Sequence, residues 1–241
     1  MDRGQGKIAI LRWENGQVPR GLLQLETMPG NSTNPASYPF PVRLVEVKGA
    51  NAETVILRPS RVILDRMIAL VKQLEQEGVR AVTTSCGFNA IFQKELADAV
   101  DIPVFTSSLL QVPFAQAIVG KHRSVGVITA NRASLKDEHL RSCGITPDIN
   151  YYLQGLEHCT QWRKIFEQPE EPFDMEAVSE EILGAVEEAV AAHPDTGIIL
   201  LECTDLPPYA QAIRDRFGLP VLDINSLIGY VALSLGVLRL Y

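Results

Sequence analysis

Two stretches decide how this chain folds: AVTTSCGFNA at residues 81–90 and GIILLECTDL at residues 197–206. Each runs through buried-type residues, ends on a cysteine and then turns polar or small, the pattern of a parallel strand emptying into a loop. Cys86 and Cys203 lie 117 positions apart, and the same offset separates KIAIL (7–11) from SVGVI (124–128) and Pro103–Val104 from Pro220–Val221. Between these anchors the pairing holds without a gap, with Phe92 on Tyr209, Leu96 on Ile213, Asp98 on Asp215 and Ile102 on Leu219. One register through three landmarks predicts a duplicated chain of two similar halves.

Working outward, short Val- and Ile-rich runs alternate with longer runs of helical period, which predicts parallel strands joined by helices. The expected strands are Lys7–Leu11, Val42–Val47, Ala81–Thr84, Val104–Thr106, Val125–Thr129, Ile198–Leu201 and Val221–Asp223. Helices are expected over Pro59–Glu77, Ala90–Val100, Leu135–Cys143, Met175–His193 and Ala210–Phe217. The fold class that follows is α/β, with two pseudo-symmetric parallel-sheet domains, residues 1–113 and 114–227, and an active site in the cleft between them. Each cysteine then sits at the carboxyl end of a strand, where α/β sheets place their ligands.

Composition narrows the function. The chain has 241 residues, 46% hydrophobic and 21% charged, and a net charge of -7, with a mean hydropathy near zero. That is the make-up of a soluble globular protein. No basic stripe offers a phosphate backbone anything to bind, so nucleic acid is not an expected partner. The longest apolar stretch, Ile228–Leu240, is broken by glycines and too short for a bilayer, and MDRGQGK lacks the apolar core of a signal peptide. A cytoplasmic protein is expected, with no membrane partner and with room for a homo-oligomer. Four cysteines at irregular spacing form neither a disulfide framework nor a metal motif, so no metal is expected. Cys143 and Cys159 read as small packing residues, and His122, His139, His158 and His193 as side chains without a ligand role.

Two thiols facing one ligand suit inversion of a stereocentre, which needs a base on one face and an acid on the other. A cysteine with an ordinary pKa of about 8.5, lowered at a helix N-terminus, can play either part. Both cysteines precede an expected helix start, where the macrodipole favours a thiolate and the amides can hold a substrate carboxylate. The developing charge also needs fixed donors. Thr84, Ser85 and Asn89 beside Cys86, and Thr204 beside Cys203, are the candidates.

At these residues the sequence resembles the aspartate/glutamate racemase superfamily, which includes hydantoin racemases, maleate isomerases and arylmalonate decarboxylases. The carriers are TTSCGFNA, IPVFTSSLL, SVGVIT and LLECTD. The resemblance implies two pseudo-symmetric domains with one catalytic cysteine each, no cofactor, and residues 228–241 returning to complete the first domain. It adds Gly87 and Thr129 to the expected substrate-binding residues. Departures bear on substrate: Gly87 and Phe88 replace the usual Asn-Thr after the first cysteine, Asp205 stands where many members have His or Glu, and Arg12, Trp13, Glu14 and Asn15 replace the usual turn after the first strand. TANRAS leaves Thr129 and Ser134 as the counterparts of a degraded Thr motif. Retention of both thiols argues against a decarboxylase. The expectation is a cofactor-independent racemase acting on a small carboxylate, an acidic amino acid in the simplest case. The alternatives are hydantoin racemisation, maleate-type cis-trans isomerisation with Cys86 as nucleophile, or non-catalytic binding of a small acid. The stretch MPGNSTNPASYPFP (28–41) cannot be regular structure. It is read either as a solvated loop or as a lid in which Asn31, Ser32, Thr33 and Asn34 reach the substrate while Tyr38 and Phe40 exclude water.

Overall fold

The computed structural model describes residues 7–239. The expectation about the start of the chain, and residues 240 and 241 of the returning segment, lie outside the described residues. Among the described residues eight strands form: β1 (Ile8–Arg12), β2 (Val42–Glu46), β3 (Ala81–Thr84), β4 (Val104–Phe105), β5 (Ser124–Thr129), β6 (Tyr151–Gly155), β7 (Thr196–Leu201) and β8 (Val221–Leu222). The helices are α1 (Arg20–Glu26), α2 (Arg61–Gln76), α3 (Gln93–Ala97), α4 (Val112–Val119), α5 (Asp137–Ser142), α6 (Lys164–Glu167), α7 (Met175–Ala192), α8 (Ala210–Phe217) and α9 (Ile224–Ser234).

The strands make two four-stranded parallel sheets, ordered β2-β1-β3-β4 and β6-β5-β7-β8. The central strands are buried along their whole length, which is why they read as continuous apolar runs rather than alternating ones. The duplication extends to single hydrogen bonds. Ser85 N–H donates to Leu11 O and Glu202 N–H to Ile128 O, each at 2.8 Å. Val82 N–H meets Pro103 O and Ile199 N–H meets Pro220 O, each at 2.9 Å. Asn89 N–H reaches Cys86 O and Leu206 N–H reaches Cys203 O, each at 3.1 Å. In all three pairs donors and acceptors keep the offset of 117.

The structure differs from the sequence reading at one strand, at one divided helix and at three added helices. Strand β6 was not expected, because YYLQG lies half-buried at a sheet edge and lacks a β-branched run. The helix expected over Ala90–Val100 is divided, with a tight 3₁₀ segment at Gly87–Phe92 leading into α3. Helices α1, α4 and α6 add further elements. Helix α9 begins in the second half of the chain and covers a face of the first sheet, the region to which residues 228–241 were expected to return. There Ile224, Ile228 and Ala232 pack with Ile8, Ile10, Ala81, Phe105 and Phe40. The start of α9 is fixed by Asp223, whose carboxylate accepts from Ser226 N–H at 2.7 Å.

The halves are joined by polar contacts as well. Ser108 Oγ donates to Leu201 O at 2.7 Å, and Gln111 Nε2 donates to Asp223 O at 2.8 Å. No described helix is long and apolar enough to cross a membrane. Because Ile228 is fully buried in this joint, Ile228→Ala is expected to cost about 2–5 kcal/mol in urea denaturation, whereas Ile118→Ala, on the exposed side of α4, should change stability by about 0.5 kcal/mol or less. Equal costs would contradict the packing described for α9.

Candidate active site

The two strand ends converge on one narrow cavity between the sheets. Its lining includes Ser85, Cys86, Gly87 and Phe88 from the end of β3, and Cys203, Thr204 and Asp205 from the end of β7. The free space is about 30 Å³, room for a water or two, so a ligand of several heavy atoms must displace wall side chains. Most of that wall is apolar: Trp13, Val18, Leu22, Ile56, Trp162, Ile165 and Phe166. Trp162 is held by its indole N–H, which donates to Ala130 O at 3.2 Å, and by stacking on Phe173. Trp13 carries a buried indole N–H with no partner. The charged members of the wall are Glu26 and Asp205; among the described lining residues none is Lys, Arg or His.

Five of the residues singled out in the sequence line this cavity with both cysteines among them: Cys86, Cys203, Ser85, Gly87 and Thr204. The Thr204 hydroxyl is spent on the seam, donating to Ser85 O. Three others do not reach the cavity. Thr84 Oγ1 is fully buried, 2.7 Å from Thr106 O and 2.9 Å from Cys86 O, so it ties the strand end rather than a ligand. Asn89 is turned toward a separate small cavity shared with Arg12 and Trp13. Thr129 donates to Glu202 Oε2 at 2.8 Å. These placements follow from where the strands stop: Thr84 and Thr129 are the last residues of β3 and β5 and stay within their sheets, Ser85 to Phe88 leave the sheet toward the cavity, and Asn89 is carried away by the 3₁₀ segment at Gly87–Phe92.

The loop at 28–41 closes against the second half without lining the cavity. Asn31, Ser32 and Thr33 are buried, and Asn31 Nδ2 donates to Asp205 Oδ1 at 2.9 Å while its Oδ1 accepts from Thr33 N–H and Oγ1. Asn34 serves the loop itself, accepting from Ala36 N–H. Tyr38 and Phe40 lie away from the cavity; the Tyr38 hydroxyl donates to Ser32 O and also lies 2.8 Å from Asn225 Oδ1 near the start of α9. The loop therefore acts on the site through Asp205, beside which Glu26 stands paired with Arg12 at 3.2 Å.

Electrostatics overturn the expectation of acidic, helix-activated thiols. Burial first, then the Glu202 charge, push the Cys86 thiol well above the ordinary range, and the Phe88 amide only partly opposes them. Cys203 is pushed the same way by burial and then by Asp205 and Glu202. No long helix starts behind either sulfur. A 3₁₀ segment follows Cys86, and α8 begins only at Ala210, so the macrodipole that was expected to favour a thiolate is missing. Burial also raises the carboxyls, Glu202 to about 7 and Asp205 to about 7. Sequence reasoning passed over Glu202, Glu26, Trp162 and Phe166. Adjacency to Cys203 was the available signal for Glu202, whereas nothing local marks the aromatic wall. The arrangement is chemically that of two thiols and two raised carboxyls, Glu26 and Asp205, in a narrow aromatic slot, with Glu202 buried behind it.

A family model for Asp/Glu/Hydantoin racemase matches residues 46–228. A dimethylsulfoniopropionate lyase from Durusdinium sp. clade D is 33% identical over 202 residues, covering 81% of this chain and 66% of that protein. Dimethylsulfoniopropionate lyase 7 from Emiliania huxleyi (strain CCMP1516) is 34% identical over 179 residues, covering 70% of this chain and 52% of that protein. The chain thus spans about half to two thirds of the length of these curated relatives. Among solved structures, an aspartate racemase homologue from Pyrococcus horikoshii OT3 superposes with a TM-score of 0.55 at 16% identity, over 91% of this chain and 93% of that one.

The raised carboxyls make stability depend on pH. Asp205 has a folded pKa of about 7 against an ordinary 3.8, so its contribution is fully present below the unfolded value and is lost as pH rises through 7. Asp205→Asn removes this loss. Its stability relative to the parent chain should rise by as much as roughly 3 kcal/mol between pH 4 and pH 8, as measured by urea denaturation at each pH, and a pH-independent difference would contradict the burial described.

Proposed function

The chain belongs to the Asp/Glu/hydantoin racemase family, and from that membership we propose that it removes the proton next to the carboxylate of a β-sulfonio carboxylate such as dimethylsulfoniopropionate and expels a neutral thioether. The observation that carries this reading is the wall of the cavity. Trp13, Trp162 and Phe166 offer π-faces, and Glu26 and Asp205 offer carboxyls that an entering cation draws toward their charged forms, with no basic side chain among the described lining residues. Such a wall suits a substrate carrying a soft cation. It does not suit the second carboxylate of aspartate or glutamate, which would meet two buried acids and no counter-charge. The names of the relatives point the same way.

The chemistry needs few groups. A cysteine thiolate takes the proton from the carbon beside the carboxylate, and the C–H electron pair becomes the new C=C bond. The C–S bond breaks with its pair on sulfur, leaving an uncharged thioether and an α,β-unsaturated carboxylate, while the proton resides on the cysteine. A neutral leaving group requires no acid. The substrate also helps to make its own base, because a cation entering beside Cys86 and Cys203 opposes the carboxylate charges that hold the thiols protonated. Among the hydroxyls of the wall, that of Thr204 is spent on Ser85 O. The Ser85 hydroxyl is the donor assigned to the substrate carboxylate.

One observation favours a second reading. Elimination needs a single base, yet two thiols reach the cavity from equivalent strand ends, which is what racemisation without a cofactor requires. Cis-trans isomerisation and simple binding have no comparable support in the wall.

Proton NMR with dimethylsulfoniopropionate separates these readings. The parent chain should release a thioether and an unsaturated acid. Cys86→Ser or Cys203→Ser, or both, should lower kcat by about 100-fold or more, and Ser85→Ala should act mainly on KM. Absence of product, together with solvent deuterium entering the α-position of an amino acid or hydantoin in a manner lost in both cysteine variants, would replace elimination by racemisation.

A further inference from the structure

Glu202 has no place in the chemistry above, and its position is unusual. It is the counterpart of Ser85 under the 117-residue repeat and is fully buried. One carboxylate oxygen, Oε2, is fixed by the Thr129 hydroxyl at 2.8 Å, and the Ala130 amide also favours the charged carboxylate. The other, Oε1, has no hydrogen-bond partner, although a buried carboxylate oxygen ordinarily has one. It occupies the space where residue 87 would carry a side chain: a β-carbon on Gly87 would fall 2.1 Å from Oε1 and 2.4 Å from the Glu202 carbonyl oxygen. The carboxyl is therefore pressed against the residue following Cys86 and is joined through its own backbone to Cys203.

We propose that Glu202 governs the reactivity of Cys86 from behind, as a buried carboxyl that does not touch substrate and acts through its charge. The titratable groups facing it are three thiols: Cys86 at the end of β3, Cys143 at the end of α5, and Cys203 next along the chain. Cys86 in turn faces Glu202 and Asp205. With Glu202 ionised, a second negative charge on Cys86 is opposed in a medium that screens poorly. With Glu202 protonated, the thiolate meets one charge fewer. The pair therefore titrates as a unit. Moving one proton from the Cys86 sulfur to Glu202 breaks an S–H bond, forms an O–H bond and leaves the total charge unchanged. A thiolate is obtained in this way without adding a charge to the site.

The inference rests on Cys86 being a reactive thiol but not on the substrate, so its test uses no turnover. The rate of Cys86 alkylation by iodoacetamide, resolved by peptide mass spectrometry, is measured against pH in the parent chain, Glu202→Gln and Glu202→Asp. Removing the charge should move the Cys86 midpoint down by at least about one pH unit, about tenfold in rate on the rising limb. Glu202→Asp keeps the charge but draws it back, and should move the midpoint less. A Gln midpoint within about 0.3 of the parent value, or an Asp shift as large as the Gln shift, would overturn the proposal, the second because it reports packing rather than charge. Should Glu202→Gln fail to fold, a downward shift in Glu202→Asp supports the proposal and an unchanged midpoint overturns it. Loss of elimination with a normal alkylation profile would count against the substrate reading alone.

Discussion

The site depends on the desolvation of acid groups at the seam between two sheets. Water would keep Glu202 and Asp205 ionised and leave the thiols ordinary; with water removed, all four groups are held toward their protonated forms. A slot in that condition resists accumulating negative charge. It gains most from a ligand that brings positive charge. The same desolvation explains the wall, since Trp13, Trp162 and Phe166 exclude water from the groups they surround.

Such a site can be sustained only if the seam is held closed, and the chain spends polar contacts on that. Thr204 reaches Ser85 O, Ser108 reaches Leu201 O, and Asn31 carries the loop at 28–41 onto Asp205. Helix α9 adds apolar area by returning to the first sheet. None of these side chains needs to touch a ligand. Their shared effect is to keep two strand ends at one distance, which fixes the geometry of any reaction between them.

Much of this was legible in the sequence because the repeat is gapless. Once Cys86 and Cys203 are aligned, the strands, the two sheets and the shared cavity follow, and the hydrogen bonds of β3 and β7 repeat at the same offset. What was not legible has a common physical cause. Where a residue near a strand end faces depends on where the strand stops and on the next turn, so Thr84, Asn89 and Thr129 could not be separated from Ser85 and Thr204 by motif alone. Strand β6 carries its edge position in pairing rather than composition. The aromatic wall comes from α6, from the turn before it and from the end of β1, segments distant in sequence whose meeting is a property of the packed fold. The thiol environment was misjudged because a helix start was expected where a 3₁₀ segment and buried acids stand.

Gly87 and Glu202 compete for one volume. A β-carbon at position 87 and the carboxyl at position 202 cannot coexist within 2.1 Å, and neither can yield far, because one is backbone and the other is pinned by Thr129. The two positions therefore form a single unit of variation, although 115 positions separate them along the chain. A descendant that places a side chain after the first cysteine must shrink the residue before the second, giving up the buried charge, and must also shift that residue's backbone, whose carbonyl oxygen would lie 2.4 Å from the new β-carbon. Changes of chemistry on this scaffold would then come in linked steps across the seam.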